Sequence, residues 1–228
     1  MDAAEWDARY AKSELVWGAP PNATVVEHVY GLERRIVLRP DAPGQEPPTL
    51  PRALDLACGE GRNALWLATH GWQVHAMDFS QVGIDKARTV AARLSRTVRG
   101  RLTWQCADAT DLTAAGVTGP FELVLIVFLH LPAPQRRELV QRAAQMLTPG
   151  GTLLMLGHDT INLTEGFGGP QDPEILFTPQ DVVEDLSAAP DMHIRVADRV
   201  LRQTEGREAI DALVVATRAG GPEEDSGA

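Results

Sequence analysis

Two glycines and an aspartate are spaced as parts of a ligand-binding turn. Gly59 and Gly61 follow an apolar run that contains Asp55, and apolar residues at helical spacing come next, which predicts a strand, a turn and a helix. Glycine is required where the backbone is left-handed or where a ligand approaches the main chain closely. The free N–H groups of the following helix favour an anionic part of that ligand. The alternative is an ordinary turn between a strand and a helix.

Two further carboxylates follow the next two predicted strands. Asp78 comes 17 residues after Gly61, and Asp108 follows the third strand. An acid after the second strand can accept the hydroxyls of a ribose. A second carboxylate could read an exocyclic amino group, and the two together describe an adenosine site. Helix capping is the alternative for Asp78, although Ser80 is the better cap, and an Asx turn is the alternative for Asp108.

The elements that must position these residues alternate between strand and helix. Strands are predicted at 53–57, 73–77, 102–106, 121–129 and 151–156, and helices at about 62–70, 81–95 and 134–147. Such alternation predicts an α/β fold, with helices on both faces of a mostly parallel sheet. A last helix is predicted to begin after Thr178, and two β-rich segments at about 193–204 and 209–217 bring the sheet to seven strands.

Composition argues against several kinds of partner and location. The net charge is −10 and the chain has only two lysines, so we expect no nucleic-acid partner. No run of about eighteen apolar residues and no signal peptide is recognisable, so we expect a cytoplasmic protein that does not bind membranes. Cys58 and Cys106 match neither a disulfide framework nor a metal-ligand spacing, so no metal is expected.

Two enzyme classes could use an adenosine site of this kind. Gly59, Gly61 and Ala64 satisfy the G-x-G-x-x-A fingerprint of NAD-dependent dehydrogenases, with Asp78 as the ribose acid. Asp55 argues against that class, because its carboxylate would repel a pyrophosphate. The chain after the fifth strand is also too short for the substrate domain that such dehydrogenases commonly carry. A dehydrogenase is therefore the alternative.

Residues 53–157 resemble the class I S-adenosylmethionine-dependent methyltransferases, and within them the tellurite-resistance and thiopurine methyltransferase-like branch. The matching motifs are Asp55-Leu-Ala-Cys-Gly-Glu-Gly61, Asp78, Ala107-Asp-Ala109 and Leu147-Thr-Pro-Gly-Gly151, and more weakly the N-terminal Trp6, Tyr10 and Trp17. The resemblance implies a Rossmann-like fold. It also implies S-adenosylmethionine as the cofactor and S-adenosylhomocysteine as the product.

The resemblance also implies which residues hold the cofactor. Asp55 would lie near its amino group or sulfonium side, Asp78 would hold the ribose, and Asp108 with Ala109 would read the adenine edge. The remaining residues of the implied cofactor site are Trp17, Ala57, Gly59, Gly61, Asn63, Phe79 and Val127. Ala57 stands where glycine is common in the family, so we expect its backbone to avoid a positive φ.

His130 and His158 are the candidate general bases of the implied reaction. Tyr10 and Trp17 are candidates for a lid over the substrate, beside His158, or else they pack on the domain edge. Orientation can contribute about 7 to 11 kcal/mol, against roughly 3 to 5 kcal/mol for a general base. The lid is therefore expected to matter more than either histidine.

The expected function is metal-independent, in-line methyl transfer to a small-molecule nucleophile, by a monomer or homodimer. A module that binds S-adenosylmethionine without catalysis is a further alternative. We predict one domain over residues 1–218. Its predicted parts are an N-terminal lid or helix at 1–38, a proline-rich linker at 40–52, a cofactor-binding core at 53–157, and a substrate loop with closing strands at 158–218. The acidic tail at 219–228 is predicted to be disordered.

Overall fold

A computed structural model describes residues 2–16, 18, 20–32, 50–204 and 206–220. Trp17, the predicted linker from 40 to 49 and the tail from 221 lie outside the described residues. The chain divides after Val117 into two compact units, and each contains buried apolar side chains. The single domain over residues 1–218 stays a prediction.

Two short helices precede the first strand. Helix α1 (Ala3–Ala11) begins with a capping box, because Asp2 accepts from the Glu5 backbone N–H at 2.9 Å and Glu5 accepts from that of Asp2 at 2.8 Å. Helix α2 (Ala23–Val29) begins at Asn22, whose side chain accepts from the Val25 N–H. Reciprocal capping stabilises the start of this helix.

The first unit contains three parallel strands in the order β3-β2-β1, which are β1 (Arg52–Leu56), β2 (Gln73–Asp78) and β3 (Leu102–Cys106). Its helices are α3 (Arg62–Thr69), α4 (Gln81–Ala91) and α5 (Arg96–Arg99). Ser80 caps α4 as predicted. The prediction of one helix over 81–95 is wrong, because α4 ends at Ala91 and Ser95 caps the separate α5.

The second unit contains β4 (Phe121–Val127), β5 (Leu147–His158), β6 (Met192–Gln203) and β7 (Glu208–Arg218), in the order β4-β5-β7-β6. The β4 and β5 strands are parallel, and β7 is antiparallel to both β5 and β6. Its helices are α6 (Ala133–Gln145), α7 (Asn162–Glu165) and α8 (Pro179–Leu186), with a 3-10 helix at Pro173–Ile175. Arg136 on α6 binds Asp185 on α8 at 2.6 Å, and this buried ion pair joins the two helices.

The seven strands of the described residues belong to one mostly parallel sheet, which confirms the predicted fold class. Strand β4 was predicted to reach residue 129, but it ends at Val127 because Phe128 has a left-handed backbone with φ of 57°. Within the described residues, no helix has the length and apolar character needed to cross a membrane.

Candidate functional site

The turn after β1 has left-handed backbone at three positions, with φ of 57° at Ala57, 55° at Gly59 and 78° at Gly61. The expectation that Ala57 avoids positive φ is therefore wrong. The turn is held from both sides, since the Cys58 N–H donates to the Met77 carbonyl and the Gly61 N–H to that of Cys58, each at 2.9 Å. These bonds favour the left-handed alanine despite a cost of roughly 1 to 2 kcal/mol.

Gly61 is required by packing as well as by conformation. A Cβ atom there would lie 2.5 Å from the Trp104 ring and 3.0 Å from the Ala87 Cβ. Its left-handed backbone is also the position from which α3 begins. A larger residue would therefore displace the indole and strain the start of the helix.

Asp55 is buried in β1 with one oxygen left unpaired. The carboxyl is 1% exposed, and its Oδ2 has no hydrogen-bond partner among the residues that the structure describes. Burial raises the pKa of Asp55 to about 7, although the backbone N–H of Ala64 opposes the shift. A buried acceptor without a partner is costly, so this carboxyl is suited to a cationic donor.

Asp78 holds the turn in place from the end of β2. Its Oδ2 accepts from the Gly59 N–H at 2.8 Å and its Oδ1 from the Ser80 N–H at 2.9 Å. Burial raises the pKa of Asp78, and these two backbone bonds partly offset the shift. Each carboxylate oxygen can accept more than one bond, so the side chain could also accept a ligand hydroxyl.

The other predicted cofactor residues of this unit have varied surroundings. Asp108 is exposed and forms the Asx turn that was its alternative, accepting from the N–H and the hydroxyl of Thr110 at 2.8 Å. Ala109 is buried beside it, and Phe79 is half-buried after β2. Asn63 is buried and accepts from the Asn22 N–H at 3.0 Å, which ties α3 to the start of α2.

Two acidic residues within the matching motifs, to which no role was assigned from the sequence, attach the N-terminal segment to this turn. Asp7 on α1 accepts from the Ser80 hydroxyl at 2.5 Å and from the Val82 N–H at 3.1 Å, at the start of α4. Glu60, between the two glycines, accepts from the Val16 N–H at 2.8 Å. Their sequence positions carry no periodic signal, so no pattern could have identified them.

Lys86 on α4 completes this attachment. Its ammonium donates to the carbonyls of Tyr10 and Ser13 and lies 3.3 Å from Glu60 Oε1. Tyr10 is buried, with its ring beside Gly83 and 5.4 Å from the ring of Trp6. Tyr10 is thus packed against α4, and the lid stays a prediction. The contacts of Trp17 lie outside the described residues.

In the second unit, His130 is engaged on both sides of its ring. Its Nε2 accepts from the His158 backbone N–H at 3.0 Å, and its ring also hydrogen-bonds the backbone of Phe128. Burial, reinforced by His158, lowers the pKa of His130 to about 4. A neutral imidazole whose Nε2 already accepts a backbone bond is poorly placed to take up a proton.

His158, at the end of β5, lies beside an acid and a cation. Its Nδ1 is 3.1 Å from Asp211 Oδ1, an ion-pair distance, although the ring is turned out of hydrogen-bond alignment. Asp211 also accepts from Arg202 Nε at 2.6 Å and from its Nη2 at 3.3 Å. Although burial raises the pKa of Asp211, the neighbouring His158 and Arg202 hold it below the ordinary value.

Aromatic rings and a glycine surround this pair. The Phe128 ring is 5.2 Å from that of His158 and has the Arg202 guanidinium 5.0 Å from its centre. A Cβ atom on Gly169 would lie 2.7 Å from the His158 ring. Val127 is buried at the end of β4. In the part of the chain that the structure describes, no group of three or more histidine, cysteine or acidic residues is arranged to hold a metal ion.

Residues 53–151 match a protein family described as "Methyltransferase domain". The chain is 32% identical over 114 residues to hemagglutinin 1 of Eikenella corrodens, covering 49% of this chain and 36% of that protein. It is 28% identical to a ubiquinone biosynthesis O-methyltransferase of a Caulobacter species, covering 69% and 62%. It is also 28% identical to a thiopurine S-methyltransferase of Vibrio cholerae, covering 50% and 55%. The chain therefore spans less than two thirds of each relative.

Solved structures with the same fold cover nearly the whole chain. A protein described under "Conversion of a Disulfide Bond into a Thioacetal Group during Echinomycin Biosynthesis" has a TM-score of 0.64 at 22% identity, covering 97% of this chain and 94% of that one. TehB from Haemophilus influenzae has 0.63 at 16%, covering 93% and 67%. The [4+2]-cyclase SpnF has 0.64 at 17%, covering 96% and 95%. At these identities they show the fold alone.

Proposed function

We propose that the protein transfers a methyl group from S-adenosylmethionine to a small-molecule nucleophile. The premise is that residues 53–151 are a class I S-adenosylmethionine-dependent methyltransferase domain. S-adenosylmethionine, when bound, supplies a methyl group on a sulfonium ion, whose S–C electron pair remains on sulfur as the methyl leaves. Because that methyl is already electrophilic, the protein has chiefly to orient the acceptor in line with it and to exclude water. No metal is needed.

The observation that carries the proposal is the unpaired oxygen of Asp55. Its Oδ2 is buried without a partner among the described residues, next to the turn at Gly59. A ligand ammonium group would satisfy that oxygen and offset the cost of ionising a buried carboxyl. The cofactor carries such a group, whereas a dinucleotide would bring a pyrophosphate toward the same carboxylate.

The neighbouring residues fit the rest of the same ligand. Asp78 is fixed by two backbone N–H groups, so its carboxylate is oriented to accept ribose hydroxyls without losing rotamer freedom on binding. Phe79 and Ala109 would border the adenine, and Asp108 would accept from its amino group. Asn63 and Tyr10 would act indirectly, by keeping α3 and α4 against the N-terminal segment.

Isothermal titration calorimetry with S-adenosylmethionine, S-adenosylhomocysteine and NAD tests the assignment. Asp78→Asn should weaken binding of the first two roughly ten- to hundredfold, because a carboxylate that accepts hydroxyls contributes about 1.5 to 3 kcal/mol. Asp85→Asn is the matched control, since Asp85 is exposed on α4 and its carboxylate accepts only from Arg88 and Gln81 among the side chains of the described residues. Binding of NAD without S-adenosylmethionine would instead favour the dehydrogenase.

The transfer itself requires a separate experiment, because a cyclase shares this fold and fold does not determine activity. Release of S-adenosylhomocysteine would be measured with small thiols, phenols, amines, halides and oxyanions. Turnover with one of these classes of compound would support the proposal and identify the class of the acceptor. Tight cofactor binding without turnover of any class would favour the non-catalytic module.

A further inference from the structure

The register of the antiparallel strands brings an acid, a base and a cation together in the second unit. His158 on β5 is directly opposite Asp211 on β7, and Asp211 is opposite Val200 on β6, two residues before Arg202. Side chains that are directly or diagonally opposite on one face of a sheet contact one another. The cluster is therefore fixed by strand pairing and not by a flexible loop.

Two histidine rings stack in this cluster, but only one of them has a ring nitrogen that could accept a proton from a substrate. The rings of His130 and His158 are 5.3 Å apart and nearly parallel. Nε2 of His130 already accepts the His158 backbone N–H. Nδ1 of His158 lies 3.1 Å from Asp211 Oδ1 without hydrogen-bond alignment, and among the described residues its Nε2 has no hydrogen-bond partner. Its side chain is 11% exposed, and Nε2, unlike Nδ1, is not one of the fully buried atoms without a partner.

We propose that Asp211, held in place by Arg202, is a positioning residue that keeps the proton of His158 on Nδ1, so that Nε2 can accept the proton of a neutral, weakly acidic S–H or O–H acceptor. The inference rests on the proposed methyl transfer and names its acceptor class. The S–H or O–H bond breaks, its electron pair stays on sulfur or oxygen, and the proton goes to Nε2 and later to solvent. The electron pair left behind is the nucleophile that takes the methyl group.

The charges around His158 indicate that Asp211 acts through orientation more than through charge. Arg202 donates to both oxygens of Asp211 and its positive charge offsets that of the carboxylate. His130 brings no charge while it is neutral, and Asp159, next in sequence, is paired with Arg199 at 2.9 Å. What Asp211 supplies is an acceptor facing Nδ1, which fixes the tautomer. Such alignment often tightens only when a substrate is bound.

The variant Asp211→Asn should reverse the tautomer of His158. Arg202 has only N–H donors, so it would hold the amide oxygen of the new asparagine and turn the NH₂ group toward His158 Nδ1. The imidazole would then carry its proton on Nε2, which would have no lone pair left to accept the proton of the acceptor. Loss of a general base lowers turnover roughly hundredfold or more.

Nitrogen-15 NMR of the histidine rings in the full chain reads the tautomer directly, with His158→Gln identifying the signals. We expect the Nδ1–H form in the wild type and the Nε2–H form in Asp211→Asn. The control is Asp191→Asn, because Asp191 pairs with Arg218 at 2.7 Å at the other end of β7. An Nε2–H tautomer in the wild type, or no change in Asp211→Asn, would overturn the proposal.

Turnover then separates base catalysis from a structural effect. Benzyl mercaptan and phenol are neutral at pH 7, whereas pentafluorothiophenol is already an anion and needs no base. Asp211→Asn should lower kcat for the neutral probes by about a hundredfold and for the anionic probe by less than about threefold. Equal losses for all three, or no turnover of the neutral probes by the wild type, would overturn the proposal. Calorimetry with S-adenosylmethionine would show independently whether the proposed function stands.

Discussion

At the scale of single residues, Asp55 makes the stability of the protein depend on pH. Its pKa is 3.8 when unfolded and about 7 when folded, chiefly because of burial. Between these values the folded state binds more protons than the unfolded one, so the free energy of unfolding falls as pH rises from about 4 to about 7. The full shift corresponds to about 4 kcal/mol.

The variant Asp55→Asn should therefore be insensitive to this part of the pH range. Urea denaturation of wild type and variant at pH 5 and pH 8 measures the effect. We expect the stability of the wild type relative to the variant to fall by about 2 to 4 kcal/mol between the two pH values. Parallel pH dependences would mean that Asp55 ionises without cost in the folded protein.

The same carboxyl should release a proton when the cofactor binds. A ligand ammonium group favours the ionised form of Asp55 and so lowers its raised pKa. Binding of S-adenosylmethionine should thus strengthen as pH rises toward 7. Calorimetry at pH 6 in buffers of different ionisation enthalpy counts the protons, and Asp55→Asn should release fewer. An equal count in both proteins would place the ammonium group elsewhere.

Two adjacent glycines provide a matched test of the His158 position. Both have left-handed backbone, with φ of 73° at Gly168 and 78° at Gly169, but a Cβ on Gly168 meets nothing within 4 Å, whereas one on Gly169 would contact the His158 ring. Alanine strains both backbones by roughly 1 to 2 kcal/mol. Only Gly169→Ala should therefore shift the His158 NMR signals and lower kcat for a neutral acceptor. If both variants changed the His158 NMR signals and kcat equally, backbone strain and not contact with the His158 ring would be the cause.

The site residues differ in how far the sequence could predict them. Asp55 and Asp78 follow from apolar runs that end beside glycines, since such runs identify strands and their ends. Asp211 and Arg202 could not be predicted, because they meet His158 only through the register of β7 with β5 and β6. Register depends on tertiary pairing, and a shift of one residue turns every side chain to the other face.

At the scale of elements, the attachment of α1 to α4 should be measurable. Lys86 is partly exposed, yet it neutralises the buried Glu60 and binds two carbonyls of the N-terminal segment. Lys86→Met should lower the free energy of unfolding by about 1 to 3 kcal/mol, because Glu60 loses its cation and the carbonyls lose a donor. Denaturant unfolding measures the loss, and hydrogen exchange should rise in residues 10–16.

Arg88→Met is the control for this variant, because Arg88 lies on the same helix and pairs with the exposed Asp85. A surface pair of this kind contributes roughly 0 to 1 kcal/mol. If the two variants were equally stable, with unchanged exchange in residues 10–16, Lys86 would not be what attaches the segment.

Element boundaries were predictable where hydrophobic periodicity determines them. Strand β3 has the predicted bounds, and the cap of α8 at Thr178 follows from the side chains of its first turn. Helix α1 was not predicted as a separate element, because its stability comes from the capping box at Asp2 and from the contacts of Asp7. The early end of β4 depends on the left-handed Phe128, which no sequence pattern indicates.

At the scale of the whole molecule, the motifs predicted the methyltransferase domain that residues 53–151 match, and the alternation of strands and helices predicted the fold class. The acceptor, the oligomeric state and the cytoplasmic location stay predictions. The acceptor resists prediction because the chain covers only part of each relative, and the relatives differ in the acceptor atom that their names specify.

Turnover should be independent of divalent metal ions. The sulfonium methyl needs no Lewis acid, and proton removal is proposed for His158. After extensive dialysis against EDTA, kcat for a neutral thiol should stay within about twofold of its value before dialysis, because no group that lowers the activation free energy would be removed. A complete loss that a single divalent ion restored would contradict the proposed mechanism.

The position of the His158 cluster has an evolutionary consequence. The matched domain ends at Gly151, so His158, Arg202 and Asp211 lie beyond it, on strands whose register is independent of the glycine turn. Selection that preserves cofactor binding acts on residues before that boundary. Substitutions at Arg202 or Asp211 could then give a descendant a new acceptor while its cofactor affinity was inherited unchanged.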